Sequence, residues 1–443
     1  MNYTQSLRYF SGINFQLLDQ VPITAEKILE IGCGFGNFGE QVKARNPKVK
    51  YYAIEKAPDA AKVAETKLDH VFCVDVESEL LIDDQFDCII FGDVLEHLHN
   101  PLEILRKTRT MLKQDGCILC SVPNIQHHSI ITSLLSGEFQ YQDVGLLDNT
   151  HIRFFTYASF IKLLLDAGFI PQIANVITSE APIDFLNTLK NSINFVKQDF
   201  ERTKFYMNVY QYIFKGNINT NYIENEPEFP ISFIVPTNDG RCFNDNFMSS
   251  PIFKNQHIHQ IIALNNQPSA AEALENGIKF AKNDFIVYTH QDAYLPHKWD
   301  AVFTKKVNEA KTLDVNASMF GVYGAKFENG SSVHHGCVMD RHCYLNNGSP
   351  FPANVDSLDE LLFGFEKQNY PGSDTTLGYH LYGADIACRY RELKKNIVAV
   401  DALCFHNSGL GFSLPTQFNN SSAIISKKWQ KYLPLATPCM IIT

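Results

Sequence analysis

Glu30-Ile31-Gly32-Cys33-Gly34-Phe35-Gly36 follows directly on the apolar run Lys27-Ile28-Leu29. Alternating glycines let a backbone turn sharply and approach a ligand closely. Three more acids stand just behind short apolar runs: Glu55 after Tyr51-Tyr52-Ala53-Ile54, Asp75 after Val71-Phe72-Cys73-Val74, and Asp93 after Phe86-Asp87-Cys88-Ile89-Ile90-Phe91-Gly92. A carboxylate only accepts hydrogen bonds. Glu55 therefore suits the two hydroxyls of a ribose, and Asp75 suits an adenine amino group. Glu30 has two readings, a ligand-side acid or a holder of the turn's own N–H groups. Dinucleotide sites use a related turn, G-x-G-x-x-G. Here the spacing is E-x-G-x-G-x-G, and no phosphate-clamping arginine follows the second run.

A second constellation lies far down the chain. The run Asp284-Phe285-Ile286-Val287-Tyr288-Thr289 leads straight into His290-Gln291-Asp292. Asp292, just past a buried strand, is placed where a carboxylate can meet a metal-bound diphosphate.

Both constellations need parallel strands to carry them. Lys27–Ile31, Tyr51–Ile54, Val71–Val74, Phe86–Phe91 and Cys117–Val122 read as strands, and Asn37–Ala44, Ala57–Leu68 and Pro101–Leu112 as helices between them. Alternation of this kind gives a parallel sheet covered on both faces, with ligands beyond the carboxyl ends of its strands. Glu30, Glu55, Asp75 and Asp93 all fall at such ends. Gly168–Val176 and Phe205–Phe214 read as a sixth and seventh strand. Between them, Phe185, Leu186, Leu189, Ile193, Val196 and Phe200 recur at helical spacing. That helix is either core-facing or a lid, a dimer face or a membrane-surface element. The second half restarts with strands Ile231–Pro236, Ile261–Leu264 and Asp284–Thr289. Helices are expected at Ser269–Lys282, with Ser269 as N-cap, at Trp299–Ala310, at Leu358–Glu366 and at Ile386–Lys395. The expected organisation is a domain over 1–217, a polar linker over 218–230 and a second domain over 231–443.

With 443 residues, 45% hydrophobic and 19% charged, each half can bury its own core. The formal charge of −10 argues against a nucleic-acid substrate. No run of about 18 apolar residues is present, and residues 1–20 lack the pattern of a signal peptide. Eleven cysteines without paired spacing read as reduced thiols of a cytoplasmic protein. A peripheral membrane contact is compatible with the chain.

Ile28–Gly36, Asp93-Val94-Leu95-Glu96-His97-Leu98, Ser121-Val122-Pro123-Asn124 and His151-Ile152-Arg153-Phe154-Phe155-Thr156 resemble class I S-adenosylmethionine-dependent methyltransferases, over about residues 25–170. The resemblance implies a Rossmann-like α/β fold. It implies that Gly32, Gly34 and Gly36 cradle the methionine part, that Glu55 holds the ribose, that Asp75 and Val76 border the adenine, and that Asp93 sits near the sulfonium, with Glu30 at the turn. Methyl transfer to a hydroxyl gains from a base. His97 and His151 are the candidates, with capping or packing as the alternative for His97, and Arg153 is a candidate substrate anchor.

The second half resembles GT-A glycosyltransferases of the family 2 type, again an α/β fold. The matching pieces are Phe233-Ile234-Val235-Pro236, Asn276-Gly277-Ile278, His290-Gln291-Asp292, Val355–Glu360, Tyr382-Gly383-Ala384-Asp385-Ile386 and Phe405-His406-Asn407. The resemblance implies that Pro236, Asn276, Asp292, Asp356 and Asp359 border a nucleotide-sugar donor and a glycan or lipid-linked acceptor. Asp292 and His406 would bind a divalent cation, manganese or magnesium. Asp385 would be the base of an inverting transfer, with helix capping as its alternative. The family's D-x-D is here H-Q-D, which leaves one carboxylate. His334, His335, His342 and Asp340 offer a second cluster, read as a metal site or as a loop over the acceptor. The expectation is thus a two-domain enzyme of surface glycan biosynthesis, one half transferring methyl groups and the other sugars. The alternative is a single methyltransferase carrying a glycan-binding module.

Overall fold

The computed structural model describes residues 10–78, 82–195, 199–254, 258–341, 343–348, 350–409 and 416–443. They form two compact units, Met1–Thr220 and Asn221–Thr443. Among the described residues no helix is long and apolar enough to cross a membrane. All eleven cysteines are free thiols.

The first unit is built on seven strands: β1 (Lys27–Ile31), β2 (Lys50–Ile54), β3 (His70–Phe72), β4 (Phe86–Gly92), β5 (Leu112–Pro123), β6 (Phe169–Thr178) and β7 (Val209–Ile218). Their order is β3-β2-β1-β4-β5-β7-β6. β1 to β5 run parallel, and β7 runs antiparallel to both β5 and β6. Ile28, Leu29, Cys88, Ile89, Ile90 and Phe91 are fully buried, as continuous apolar strands covered on both faces must be. Ile31 pairs with Ile54 and with Phe91. The turns after β1, β2 and β4 therefore open along one edge.

Phe205–Asn208, expected as strand, is helical, and the strand begins only at Val209. Asp199 caps the helix Phe200–Asn208 by accepting from the Arg202 N–H at 2.8 Å. Met207 from that helix packs on Leu186 and Ala181. The helix Ile183–Phe195 thus turns Leu186 inward, the core-facing alternative, while Ile183 stays exposed. Val196 lies outside the described residues.

The second unit has a seven-stranded mixed sheet and a smaller one. Its strands are β8 (Ile231–Thr237), β9 (Gln260–Asn265), β10 (Phe285–Thr289), β11 (Ala293–Tyr294), β12 (Ala317–Gly321), β13 (Tyr323–Glu328), β14 (Ser331–Asp340), β15 (Tyr344–Asn346), β16 (Ala353–Val355), β17 (Ser357–Leu358), β18 (Leu362–Glu366), β19 (Asn396–Ala399) and β20 (Cys404–His406). The large sheet runs β16-β19-β12-β18-β10-β8-β9 and the other β11-β20-β14-β13-β17. Along β10 the side chains alternate between two cores. Ile286 and Tyr288 join one, and Phe285 and Val287 the other.

Two expectations change here. Leu358–Glu366 is not a helix: Leu358 ends β17, 359–361 make the connection and Leu362–Glu366 is β18. Leu362, Phe363 and Phe365 are buried in a strand that pairs antiparallel with both β10 and β12. Tertiary pairing outweighs a short run that could have coiled. The segment 218–230 is no free linker. β7 extends to Ile218, Asn221 donates to Asp401 at 2.6 Å, and the Glu228 N–H donates to Thr304 at 3.0 Å.

Ser269 caps the helix Ala270–Phe280 as expected, accepting from the Glu272 N–H at 3.1 Å. That helix lies so close on β8 that a Cβ at Gly277 would stand 2.5 Å from Ile234 Cγ2. Gly277→Ala should therefore cost about 1–3 kcal/mol through overpacking, although alanine is the better helix former. A denaturant midpoint equal to or above that of the unaltered chain would contradict this packing.

Candidate functional site

The glycine turn after β1 is held from β2. Gly32 has φ 74°, and a Cβ there would lie 2.6 Å from Val94 Cγ2. The Gly34 N–H donates to Glu55 Oε2 at 2.9 Å, and the Ala57 N–H donates to Glu55 Oε1 at 2.9 Å. Glu55, and not Glu30, thus holds the turn's backbone. Its oxygens keep further lone pairs for a diol.

Glu30 is buried and accepts from the Tyr51 hydroxyl at 3.0 Å. Burial pushes its carboxyl up to about 8, against the Tyr51 hydrogen bond and with the charge of Glu55 adding to it. A mostly neutral carboxyl facing a phenol belongs to the core under the turn. The reading of Glu30 as a partner of backbone N–H groups is corrected accordingly.

β3 ends at Phe72 rather than Val74, and Asp75 lies exposed three residues beyond it, accepting from the Glu77 N–H at 2.9 Å; Val76 beside it is buried. Asp93 follows β4 in a left-handed conformation, φ 55°. Its Oδ1 accepts from Ser121 Oγ at 3.0 Å and from the amide of Gln211. Asn14 in turn donates to the Gln211 oxygen at 3.1 Å.

Beyond Asp93 a short helical turn, Leu95–His97, sets Glu96 and His97 beside His151. His97 Nδ1 meets the Thr150 carbonyl at 3.2 Å, and its ring lies 4.8 Å from that of His151. His151 is buried and donates from Nδ1 to the Leu146 carbonyl at 3.2 Å. Its Nε2 is then left 3.9 Å from Glu96 Oε1. Glu96 is 1% exposed, and neither of its carboxyl oxygens has a hydrogen-bond partner. Burial, reinforced by Asp93 and Asp148, pushes Glu96 well above the usual carboxyl range. Burial and the neighbouring His151 push His97 down. Ligand atoms of Glu96, His97 and His151 all lie within 4.8 Å of one another, so this cluster could also hold a cation. Arg153, expected as a substrate anchor, donates to the His99 carbonyl at 2.6 Å.

A cleft of about 280 Å³ adjoins this corner, lined by Ser129, Ser133, Glu138, Gln142, Leu146 and Tyr210. Its wall is continuous with the site, since the Leu146 carbonyl holds His151 and Gln211, next to Tyr210, holds Asp93. Glu96, Gln211 and Asn14 went unassigned in the sequence. Glu96 sits inside the Asp93–Leu98 run and could have been found there. Gln211 and Asn14 carry no local signal.

In the second unit, His290-Gln291-Asp292 connects β10 to β11. Gln291 folds back on the end of β8: its Oε1 accepts from Thr237 Oγ1 at 2.9 Å and from the Asn238 and Asp239 N–H groups at 3.1 Å each. Asp292 Oδ1 lies 3.5 Å from His406 Nε2 and 4.0 Å from His290 Nδ1. His406 donates from Nδ1 to Asp340 Oδ2 at 3.0 Å. Strand register dictates the meeting, because His406 on β20 pairs with Ala293 on one side and Asp340 on the other. Burial works against charge here, yet Asp292 and Asp340 hold His406 well above the usual imidazole range, and His406 with His290 holds Asp292 well below the usual carboxylate range.

Other expected residues have different tasks. Asp359 accepts from the Leu361 N–H at 2.8 Å, in the turn whose Leu361 carbonyl receives the His290 N–H at 2.9 Å, so it borders the site. Asp356 accepts from the Phe327 N–H at 2.7 Å and lies 3.6 Å from Arg391. Pro236 is half-buried within β8. Asn276 is engaged on its own helix and the loop before it, with Gln267 and Lys279 each at 3.1 Å.

Asp385 is wholly buried. Its oxygens receive Arg389 Nε at 2.7 Å, Trp429 Nε1 at 2.8 Å and Lys428 Nζ at 2.7 Å. A carboxylate held by two cations and an indole is no free base, nor does it cap a helix; it ties the helix Tyr382–Glu392 to Thr416–Lys428. The histidine cluster around Asp340 does not assemble among the described residues. Neighbours on a strand point to opposite faces, His334 turns to the Tyr323 hydroxyl at 2.9 Å, and Asp340 serves His406. His342 lies outside the described residues.

Two outcomes follow from this geometry. A carboxyl raised from 4.5 to about 8 on folding adds most stability below pH 4.5 and loses it as pH rises toward 8. Glu30→Gln, neutral throughout, should flatten the fall in unfolding free energy between those values, as read by urea titration; an unaltered slope would exclude the buried neutral acid. Asp385→Asn should cost about 1–3 kcal/mol through loss of its charge-assisted bonds to Arg389 and Lys428, each 28% exposed. Unchanged stability would return Asp385 to the list of bases.

A family profile described as a methyltransferase domain matches residues 2–171. Among curated relatives, the ubiquinone biosynthesis O-methyltransferase of Dinoroseobacter shibae is 28% identical over 154 residues, 34% of this chain and 62% of that protein. Its namesake in Cereibacter sphaeroides is 24% identical over 192 residues, 41% of this chain and 76% of that protein. The chain thus spans under two thirds of the first of these. Among solved structures, the plantazolicin methyltransferase BpumL in complex with SAH is 20% identical, covering 49% of this chain and 86% of its own, with a TM-score of 0.32. The residues matched by the profile carry the glycine turn, the parallel strands and the acids at their ends, and over residues 2–171 the chain is similar to a methyltransferase domain.

Proposed function

We propose that the first unit moves the methyl group of S-adenosylmethionine onto a hydroxyl, or a nearby amino or carboxyl group, of a sugar or sugar conjugate. The observation that carries this is the convergence of the glycine turn, Glu55, Asp75 and Asp93 on one sheet edge beside a cleft lined by both polar and apolar side chains. The donor fits the residues present. Gly32, at φ 74° with Val94 Cγ2 2.6 Å from where a Cβ would stand, keeps the turn tight, and acceptor-only side chains stand where a ribose and an adenine offer donors. When bound, S-adenosylmethionine supplies an activated methyl on a sulfonium. Gly32, Gly34 and Gly36 cradle its methionine part, Glu55 takes the ribose, and Asp75 and Val76 border the base. Asp93, fixed by Ser121 and Gln211, orients the sulfonium end. His151, with its Nδ1–H committed to Leu146, presents Nε2 to accept the acceptor's proton. His97, held down in basicity, is neutral at physiological pH and shares that task. Most of the catalytic gain is alignment in a site shielded from water.

For the second unit we infer glycosyl transfer from a nucleotide-sugar to a glycan or lipid-linked acceptor, as part of surface glycan assembly in the cytoplasm. Asp292 and His406 would hold a divalent cation, which neutralises the leaving diphosphate. One observation favours a second reading, a module that holds a glycan without turning it over: Asp385 is fully engaged in ion pairs and is not available as a base.

Calorimetry of the full chain tests both halves. The protein should bind S-adenosylmethionine, and Gly32→Val should weaken that binding at least tenfold, because a side chain there meets Val94 on a left-handed backbone and displaces the turn. Equal binding by the variant would remove the proposed site. Turnover of any one of UDP-, GDP-, dTDP- or CMP-sugars with manganese would support the transferase reading; none, with glycan binding retained, would favour the module.

A further inference from the structure

His290 stands where the D-x-D of the glycosyltransferases that the second half resembles has its first carboxylate, and the loss of that acid looks at first like the loss of a metal site. The geometry points to another outcome. We propose that His290 joins Asp292 and His406 as the third ligand of a two-histidine, one-carboxylate centre for manganese, cobalt or zinc, and that Asp340 is its positioning residue. The inference deepens, and rests on, the reading of the second unit as a site for a metal-bound diphosphate.

Ligand atoms of the three side chains lie within 4.8 Å of one another. Asp292 Oδ1 is 3.5 Å from His406 Nε2 and 4.0 Å from His290 Nδ1. Donors about 2.0–2.2 Å from a common tetrahedral ion sit roughly 3.3–3.6 Å apart, so small rotations of the ring and carboxylate suffice. The side chains of His290, Asp292 and His406 are 37%, 20% and 22% exposed. The group therefore faces an opening, and three protein ligands leave positions for an incoming oxygen.

The surroundings are built for this arrangement. Asp340 is 6% exposed and takes the Nδ1–H of His406. That bond fixes the tautomer and aims Nε2 at Asp292, as the outer carboxylate of a metal-bound histidine does. Gln291, between two ligands, has no part in coordination. Its amide is spent on Thr237, Asn238 and Asp239, which pins the loop that presents His290 and Asp292. Imidazole nitrogens suit manganese, cobalt or zinc, whereas magnesium wants oxygen ligands and waters. Replacing the first acid of D-x-D by histidine thus alters which cation is chosen.

The test uses the full chain in a His151→Ala background, which disarms the Glu96–His97–His151 cluster. Manganese binding is followed by loss of the free-ion EPR signal and cobalt binding by its visible absorption, without nucleotide. Expected are one site per chain, binding of manganese at least tenfold tighter than of magnesium, and a drop of tenfold or more in His290→Ala and in His406→Ala. Asp340→Asn should weaken binding about 10–100-fold. His290→Asn and a thermal midpoint for each variant separate ligand loss from misfolding. Equal manganese affinity in folded His290→Ala and its parent, or magnesium displacing manganese at equal concentration, would overturn the proposal. UDP, GDP, dTDP and CMP are then each added to the manganese-loaded protein. Metal binding as expected with no gain in affinity for any of the four would uphold the centre and overturn only the transferase reading.

Discussion

A carboxylate taken out of water must find a hydrogen-bond donor, a cation or a proton, and the working parts of both units are solutions to that constraint. In the first unit Glu55 is satisfied by the backbone of the glycine turn, Asp93 by Ser121 and Gln211, and Glu30 by Tyr51 and a raised proton affinity. In the second, Asp292 and Asp340 share His406, and Asp385 is met by Arg389, Lys428 and Trp429. The same principle separates the acids that hold the fold from those left for chemistry. Where every oxygen has a permanent partner, as in Asp385, the group is a structural tie. Where partners are few and the side chain meets an opening, as in Asp75 and Asp292, the group remains available to a ligand.

Glu96 is the exception within this scheme. It is 1% exposed, yet neither oxygen is paired. His97 and His151 stand beside it, with Nε2 of His151 3.9 Å from Glu96 Oε1. A buried acid of this kind is tolerated when it carries a proton or when a cation completes it. Either state would tune the histidines that face the acceptor cleft.

The relatives named for ubiquinone biosynthesis share only the methyltransferase half, and they set the fold more firmly than the acceptor. The cleft beside His151 offers Ser129, Ser133, Glu138 and Gln142 around the apolar Leu146. A polyhydroxylated ring has the matching mixture of hydroxyls and apolar faces, which is why a sugar acceptor is the preferred reading.

Much of the first unit was legible in the amino-acid order, because parallel strands buried on both faces must be apolar throughout and must end in turns. Ile28–Ile31 and Phe86–Phe91, the glycine turn, and the acids Glu55, Asp75 and Asp93 declare themselves by local pattern alone. So does Ser269, since a cap acts within three residues. What the order could not declare depends on residues distant in the chain. Phe205–Asn208 became helix through Asp199 and the packing of Met207, and Leu362–Phe365 became strand because β10 and β12 flank it. The tie of Asp93 to Gln211, of Asp385 to Lys428 and Trp429, and of His406 to Asp340 span 118, 43, 44 and 66 positions. Local propensity carries no information over such separations. Which acid serves as scaffold and which meets the ligand was therefore decided by tertiary packing, while the sequence by itself determined that acids, glycines and strand ends would come together at all.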